Sequence, residues 1–296
     1  MQPPLGRILT AMVTPFGSDG SVDHSTSWDL AEFLVANGSD GVVVAGTTGE
    51  SPTLTSDEKI ALVRTVVEAV GGKAVVVAGT GTYDTAESVH LTGRAIDAGA
   101  AAVMAVTPYY SRPSQEGLVA HFSAIADAST VPVLLYNIPS RTGRLIEVAT
   151  LVRLAAHGNI PAVKDAVGDL AFTTKTIGAC PAGFAVYSGD DILTLPMMAV
   201  GAVGVVSVAS HLAGPQIAAM VGAAVDGDWE HARRLHAALA PLFEAIFLEP
   251  NPQPVKGALD VVWRPVGMPR LPLVPAAAET VKAVEQALAA AAEATR

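Results

Sequence analysis

Two residues of this sequence have the chemistry of carbonyl activation. Lys164 follows the apolar segment 160–163, and Tyr136 follows the apolar segment 131–135. Burial at the rim of a packed sheet disfavours the charged form of an amine, and a neutral amine attacks carbonyl carbons. A neighbouring phenol can donate and accept the proton that this reaction moves. Each residue also has a structural alternative, since lysines reach out to water and core tyrosines satisfy their hydroxyls.

Other polar residues can bind the anionic part of a substrate. Thr47 and Thr48 lie between Gly46 and Gly49, and backbone N–H groups in such a turn can approach a carboxylate or a phosphate. Arg141 lies a few residues beyond the apolar segment 131–135, and its planar guanidinium can hold a carboxylate with two hydrogen bonds. The alternatives are an ordinary tight turn and a surface arginine without a ligand.

The sequence gives little support for a metal site. Its single cysteine, Cys180, rules out a disulfide framework and a cysteine-based zinc site. None of the seven histidines follows a candidate strand. Asp190 and Asp191 can ligate magnesium, but carboxylates are also favoured at the start of a helix. We therefore do not expect a metal-dependent aldolase.

Short apolar segments alternate with helical patterns along most of the chain. The candidate strands are residues 8–13, 41–45, 74–78, 101–106, 131–135, 161–163, 184–187 and 203–208. The helical patterns begin with capping signals, such as Thr55 followed by Glu58 and Asp84 followed by Glu87. Because the strands show almost no polar alternation, we expect a parallel sheet covered on both faces.

Eight such units favour a closed barrel over an open sheet. The predicted fold class is α/β, a (β/α)8 TIM barrel over residues 1–227. A C-terminal helical segment follows over residues 228–296, with helices at 230–248 and 276–292 and Pro/Gly-rich loops between them. Barrel enzymes carry their sites at the carboxyl ends of the strands. Hydroxyl-bearing residues and Lys164 collect at those predicted ends.

Composition excludes several functional classes. The chain has 296 residues and a net charge of -10, which argues against binding to nucleic acid or to an anionic membrane. Half of the residues are hydrophobic and 16% are charged, which excludes disorder. Residues 192–225 carry no charge, but prolines, glycines and polar residues interrupt them and favour buried elements over a membrane span. The N-terminus lacks a signal-peptide pattern, so we expect a cytoplasmic protein.

Five motifs resemble the dihydrodipicolinate synthase family. They are GTTGES at 46–51, TPYYSRPSQEG at 107–117, YNIPSRTG at 136–143, VKD at 163–165 and NPQPVK at 251–256. The motifs occur in order, and the likeness spans essentially the whole chain. The threonine pair and the lysine mark the wider superfamily of pyruvate-dependent class I aldolases and lyases. Arg141 within its motif and the paired tyrosines at 109–110 are more specific to the synthases.

The resemblance implies a reaction and a site. Pyruvate forms a Schiff base with the lysine amine, and the resulting enamine attacks L-aspartate-4-semialdehyde in diaminopimelate and lysine biosynthesis. The implied catalytic residues are Lys164, Tyr136, Thr47 and Tyr110. Tyr110 reaches in from a neighbouring subunit of a homotetramer, a dimer of dimers. The implied substrate-binding residues are Thr48, Arg141, Gly189 and Val206. No metal or organic cofactor is implied, because the lysine itself supplies the amine.

The chain also departs from the lysine-inhibited members that it resembles. Those members carry imidazoles at the positions of Ser56 and Lys59, and an asparagine at the position of Tyr83. Lys59 adds a positive charge near the place where a lysine ligand would lie. We therefore predict weak or absent feedback inhibition by L-lysine.

Two alternatives for the function stay open. Sister aldolases, such as N-acetylneuraminate lyase or 2-keto-3-deoxy sugar acid aldolases, share the lysine, the tyrosine and the threonine loop. Arg141 favours a small carboxylated aldehyde over their polyol substrates. A catalytically silent barrel that binds a keto acid is the other alternative, and the intact set of Lys164, Tyr136, Thr47 and Tyr110 argues against it.

Overall fold

Eight parallel strands close into one barrel. The computed structural model describes residues 3–294 of the chain. The strands are β1 (Ile8–Ala11), β2 (Gly41–Val44), β3 (Val75–Gly79), β4 (Ala102–Val106), β5 (Val133–Asn137), β6 (Ala162–Asp165), β7 (Ala185–Ser188) and β8 (Gly204–Ser207). Each strand pairs with the next in chain order, and β8 pairs back with β1. The predicted (β/α)8 barrel is confirmed.

Helices follow the strands and cover the outside of the barrel. They are α1 (His24–Ala36), α2 (Ser56–Val70), α3 (Thr85–Asp97), α4 (Gln115–Ala128), α5 (Pro139–Thr142), α6 (Val148–Ala155), α7 (Leu170–Ala179), α8 (Thr194–Ala199) and α9 (Ser210–Val225). The two predicted helix starts are confirmed: Thr55 and Glu58 form a reciprocal capping box, and the Asp84 side chain accepts a hydrogen bond from the Glu87 backbone. Residues 192–225 contain α8, β8 and α9, and no helix in the described range 3–294 is long and apolar enough to cross a membrane.

The alternation of side chains along each strand separates two apolar layers. In β5, Val133 and Leu135 pack outward against the helices, whereas Leu134 and Tyr136 belong to the smaller cluster inside the barrel. Successive side chains of a strand point to opposite faces. The strand pattern therefore decides which residues face the barrel axis and can meet at its carboxyl end.

Three helices follow the barrel in the C-terminal segment. They are α10 (Trp229–Ala245), α11 (Gln253–Val262) and α12 (Ala278–Ala294). The two predicted helices are confirmed, and α11 is a further helix, not predicted from the sequence, among the loops between them. Pro252 and Pro254 occupy its start, where no intrahelical N–H is needed. Gly257 lets the helix approach Val281 closely.

The division of the chain into a barrel at 1–227 and a helical segment at 228–296 stays a prediction. Its outer ends, residues 1–2 and 295–296, lie outside the described residues. α11 supplies side chains that reach the carboxyl end of the barrel, as described below. The C-terminal segment therefore bears directly on the candidate site.

Candidate active site

Tyr136 and Lys164 lie side by side at the carboxyl ends of β5 and β6. The two residues are register partners in the parallel pairing of these strands. Both are buried, and the Lys164 Nζ lies 4.3 Å from the centroid of the Tyr136 ring. Leu134 and Ala162, each two positions earlier, face the barrel interior, so Tyr136 and Lys164 point inward as well. The structure thus brings the predicted amine and phenol into contact.

A cavity of about 240 Å³ opens beside this pair. Three of the predicted site residues line it: Thr47, Tyr136 and Arg141. Its volume suits a substrate of a few carbon atoms, because sites for drug-sized ligands measure roughly 300–1,000 Å³. Hydroxyl, phenol and guanidinium groups therefore face one small space next to the lysine.

The threonine loop between β2 and α2 has a strained backbone. Ala45 and Glu50, which bracket the loop, both adopt the left-handed region with φ of 54° and 55°. Such conformations are uncommon for residues other than glycine and persist where the surroundings impose them. The Thr14 hydroxyl donates to the Gly49 carbonyl at 2.7 Å, and any Cβ at Gly79 would collide with the Ala45 carbonyl. Neighbouring strands therefore hold the loop in shape.

A buried ion pair anchors the end of this loop to the C-terminal segment. The Lys256 Nζ of α11 donates to Glu50 Oε1 at 2.9 Å and to the Thr14 carbonyl at 3.0 Å. The other Glu50 oxygen accepts from the Arg270 backbone N–H at 2.8 Å. Burial lowers the pKa of Lys256, and the Glu50 carboxylate opposes that fall. The left-handed backbone at Glu50 is thus fixed through its side chain.

The remaining predicted binding residues lie off the lining of the cavity. Thr48 is buried, and its Oγ1 accepts a hydrogen bond from Asn251 Nδ2 at 2.9 Å. Gly189 follows β7 and donates its N–H to the Asp165 carbonyl at 2.7 Å. Val206 belongs to the apolar cluster inside the barrel. Their predicted contacts with substrate stay predictions.

The structure does not bring Tyr110 into the site of its own chain. Its side chain is 94% exposed, and its φ is 67°. The preceding residue, Tyr109, lines the cavity instead and packs edge-to-face against Tyr83 with 5.2 Å between ring centroids. Burial raises the pKa of Tyr109. Tyr109 is not among the predicted site residues, although its pairing with Tyr110 in the TPYY motif was the available signal.

A second cavity of about 420 Å³ shares Ser51, Pro52 and Tyr109 with the first. Lys59, Glu87 and Tyr83 also line it. Burial lowers the pKa of Lys59, and the nearby Glu87 carboxylate opposes that fall. The second cavity therefore contains two of the three positions at which the chain departs from lysine-inhibited relatives.

The acidic pair near Lys164 accepts hydrogen bonds from backbone N–H groups. Asp190 accepts from the Ile192 N–H at 3.3 Å, and Asp191 accepts from the N–H groups of Val208 and Ala209. Burial raises the pKa of Asp190, and the charge of Lys164 opposes that rise. Among residues 3–294, no three His, Cys, Asp or Glu side chains converge in the manner of a metal site.

A comparison with known families identifies this arrangement. The model of the dihydrodipicolinate synthetase family matches residues 4–291. The chain belongs to this family. A curated relative from Moorella thermoacetica, named 4-hydroxy-tetrahydrodipicolinate synthase, is 56% identical over 283 residues, which cover 96% of this chain and 97% of the relative.

Solved structures of the family share the whole fold. A dihydrodipicolinate synthase from Bacillus anthracis is 47% identical with a TM-score of 0.94, covering 97% of this chain and 98% of that one. A lysine-bound family structure from Cyanidioschyzon merolae is 45% identical with a TM-score of 0.95 and covers the same two shares. The resemblance drawn from the five motifs is therefore confirmed for the family and for the TIM barrel followed by C-terminal helices.

Proposed function

We propose that the chain condenses pyruvate with L-aspartate-4-semialdehyde to 4-hydroxy-tetrahydrodipicolinate. The chain is a lyase of the family described above, and its relatives carry the name of this reaction. The observation that supports the proposal most strongly is the buried Lys164 amine against the Tyr136 ring beside a small open cavity. The geometry supplies a nucleophile, a proton carrier and a space for the substrate.

The reaction begins with a bond between Lys164 and pyruvate. The neutral Nζ attacks the ketone carbon, and the resulting carbinolamine loses water to give an imine. The protonated imine accepts electrons when the methyl carbon loses a proton, which forms an enamine. The enamine carbon attacks the aldehyde of the semialdehyde. The amino group of that substrate then attacks the imine carbon, closes the ring and displaces the Lys164 amine.

Each proton in this sequence needs a carrier close to the imine. The Tyr136 ring lies against the Lys164 amine, and its phenol donates a proton to the departing hydroxyl and later accepts one. Thr47 lies on the same cavity lining and relays the proton onward together with Tyr110 of a second copy of the chain. A positioned acid–base group contributes roughly 10²- to 10⁴-fold to the rate of such steps.

The two substrates each present a carboxylate. The Thr48 hydroxyl binds that of pyruvate, with Gly189 and Val206 beside the same substrate. Arg141 faces the cavity and binds the carboxylate of the semialdehyde through its planar guanidinium. This assignment favours the synthase over sister aldolases, whose second substrates are polyols.

The proposal extends to cofactors, assembly and location. Lys164 supplies the amine, so the reaction uses neither a metal nor an organic cofactor. Tyr110 projects from the surface of its own chain, which suits a role in a neighbouring site of a dimer, two of which form a tetramer. We place the enzyme in the cytoplasm, with the small molecules of the diaminopimelate and lysine pathway as its partners.

One experiment separates this proposal from its alternatives. Pyruvate consumption is measured with and without L-aspartate-4-semialdehyde for the wild type and Lys164→Ala. We expect turnover that requires the semialdehyde and disappears with the lysine. Borohydride trapping of a pyruvate imine without semialdehyde-dependent turnover would instead support a sister aldolase. The absence of a trapped adduct on Lys164 would support a silent binding barrel.

A further inference from the structure

Asn251 links the C-terminal segment to the threonine loop. It lies just before α11, and its side chain is buried. Its amide Nδ2 donates to Thr48 Oγ1 at 2.9 Å, across 203 positions of the sequence. A side chain from beyond the barrel thus holds the hydroxyl of a candidate substrate-binding residue.

This contact determines what the Thr48 hydroxyl can do. A hydroxyl has one proton to donate and two lone pairs that accept. The hydrogen bond from Asn251 occupies a lone pair, and residues 3–294 supply no acceptor for the Thr48 proton. Asn251 thereby leaves the hydroxyl as a donor that is free for a ligand. A donor whose own oxygen accepts a hydrogen bond is also polarised and bonds more strongly.

We infer that Asn251 is a positioning residue that presents the Thr48 hydroxyl to the carboxylate of pyruvate. The inference rests on the proposed function, since it specifies how that site recognises its first substrate. A hydrogen bond from a hydroxyl to a carboxylate is charge-assisted and hence stronger than one between neutral groups. Asn251 acts on the substrate through Thr48 and need not touch it.

The segment around Asn251 is held firmly enough to perform this role. Lys256, on the following helix, forms the buried ion pair with Glu50 at the other end of the threonine loop. Val255 and Leu259 of α11 are fully buried. The same segment therefore contacts the loop at residues 48 and 50, so the Asn251 amide and the Thr48 hydroxyl keep a fixed relation.

One feature argues against a purely structural role for the amide. The Asn251 Oδ1 is buried and has no hydrogen-bond partner among the described residues. Buried side-chain oxygens are normally satisfied. An apolar residue would fill this place without leaving an orphaned acceptor. The presence of an amide here fits a requirement for its N–H donor at Thr48.

Substitution of Asn251 by aspartate or alanine tests the inference. Asn251→Asp keeps the shape but removes the donor, so the carboxylate accepts the Thr48 proton and repels the substrate anion. We expect the pyruvate concentration for half-maximal borohydride trapping on Lys164 to rise about 10- to 100-fold, the effect of losing a hydrogen bond to a charged group. Asn251→Ala should raise it less. The kcat and the KM for the semialdehyde should change far less. The lost interaction binds pyruvate equally in the ground state and in the transition state, so its loss weakens pyruvate binding alone.

A matched control variant and a double-mutant cycle make the test specific. Asn159 is a partly buried asparagine whose amide donates to the Ala126 and Ser129 carbonyls, and it precedes β6 at the opposite end of the barrel. Asn159→Ala should leave pyruvate trapping unchanged. In a Thr48→Val background, Asn251→Ala should have no further effect on half-saturation, because the two residues act through one hydrogen bond.

The outcomes distinguish this inference from the proposed function. Trapping by the wild type with unchanged half-saturation in both Asn251 variants would overturn the inference and leave the proposed function standing. An equal rise in Asn159→Ala would also overturn it, because it would show a general loss of structure. Additive effects of Asn251→Ala and Thr48→Val would overturn it as well, because they would show that the two residues act independently. Failure of the wild type to trap pyruvate on Lys164 would overturn both.

Discussion

Tyr136 and Tyr187 both face the interior of the barrel, but their hydroxyls meet opposite surroundings. The Tyr187 hydroxyl donates to the Gly6 carbonyl at 2.9 Å and accepts from the Leu5 N–H at 3.3 Å, near the amino end of the barrel. Burial raises the pKa of Tyr187 to about 12. Tyr136 lies at the carboxyl end, where it lines the cavity beside Lys164. The Tyr187 phenol forms hydrogen bonds within the protein, whereas the Tyr136 phenol is available to a substrate.

This contrast predicts the effect of removing each hydroxyl. Tyr136→Phe keeps the ring against the Lys164 amine but removes the proton carrier. We expect pyruvate still to be trapped on Lys164, while kcat for the condensation falls about 10²- to 10⁴-fold, the usual contribution of a positioned acid–base group. Steady-state rates together with borohydride trapping measure the two quantities separately.

Tyr187→Phe is the matched control for that variant. It removes a phenol hydroxyl from the same cluster together with its two hydrogen bonds, so it should lower the free energy of unfolding by about 2 kcal/mol, at about 1 kcal/mol for each bond. Its kcat should stay within twofold of the wild type. Similar losses of kcat in the two variants would show that Tyr136 acts only in packing.

The ion pair between Lys256 and Glu50 predicts a large loss of stability. Their side chains are 2% and 1% exposed, and Lys256→Met leaves the Glu50 carboxylate buried without its cation. Breaking such a pair on one side costs about 3–5 kcal/mol, and chemical unfolding measures the change. Arg234→Met, which breaks the exposed pair with Glu230, should cost less than about 1 kcal/mol. Equal costs would contradict the prediction.

The order of the strands and helices, and the residues at the carboxyl ends of the strands, can be predicted from local sequence patterns. The predicted strands 131–135 and 161–163 stopped just before Tyr136 and Lys164, because an aromatic residue and a charged residue ended the apolar segments. In the structure both residues lie within their strands, β5 (Val133–Asn137) and β6 (Ala162–Asp165), and each is the second inward-facing residue of its strand. Barrel geometry then brings them together, since adjacent parallel strands align their carboxyl ends.

The contacts made by α11 could not be predicted in this way. Pro252, Pro254 and Gly257 are typical of loops, and only packing against α12 and the barrel makes their segment helical. The bonds from Asn251 to Thr48 and from Lys256 to Glu50 join residues more than 200 positions apart. No periodicity or capping signal encodes such a pairing. The NPQPVK motif pointed to the family but not to what its residues contact.

His211 predicts a decline of stability in mild acid. The buried imidazole accepts from the Val13 N–H at 3.1 Å and bonds the Val208 carbonyl at 2.8 Å, and burial lowers its pKa to about 4. The unfolded chain takes up this proton near pH 6.5, whereas the folded chain does so only near pH 4. The contribution of this group to stability is therefore present above pH 6.5 and falls as the pH drops toward 4, by about 1.5 kcal/mol between pH 6.5 and 5.

Unfolding curves at several pH values test the assignment. His211→Gln removes the titrating group, so its free energy of unfolding should fall less steeply over the same interval, whatever its value at neutral pH. His231 supplies a control, because it is only partly buried in the first turn of α10 and lies on a different helix from His211. His231→Gln should keep the wild-type slope. Parallel slopes for the wild type and His211→Gln would contradict the prediction.

The second cavity predicts weak or absent inhibition by L-lysine. Lys59 and Tyr83 line it, and Ser56 donates to the Glu87 carboxylate at 2.7 Å. The Lys59 ammonium opposes the binding of a second cation near Glu87 and partly neutralises the acidic partner that such a ligand needs. Initial rates with millimolar lysine measure the response, and inhibition at submillimolar lysine would refute the prediction. The triple variant Ser56→His, Lys59→His and Tyr83→Asn should gain sensitivity.

The exposure of Tyr110 predicts that two inactive variants restore each other's activity. If a site takes Lys164 from one subunit and Tyr110 from its neighbour, Tyr110→Phe and Lys164→Ala are each deficient alone. A mixed dimer contains one site with both intact residues, so refolding the variants together in equal amounts should restore about one quarter of wild-type activity. A mixture of Tyr136→Phe and Lys164→Ala is the control. Tyr136 and Lys164 belong to the site of the same subunit, so no site of that mixed dimer contains both intact residues. Recovery in the first mixture alone places Tyr110 in the neighbouring site; no recovery in a verified mixed dimer would show that Tyr110 does not act across subunits.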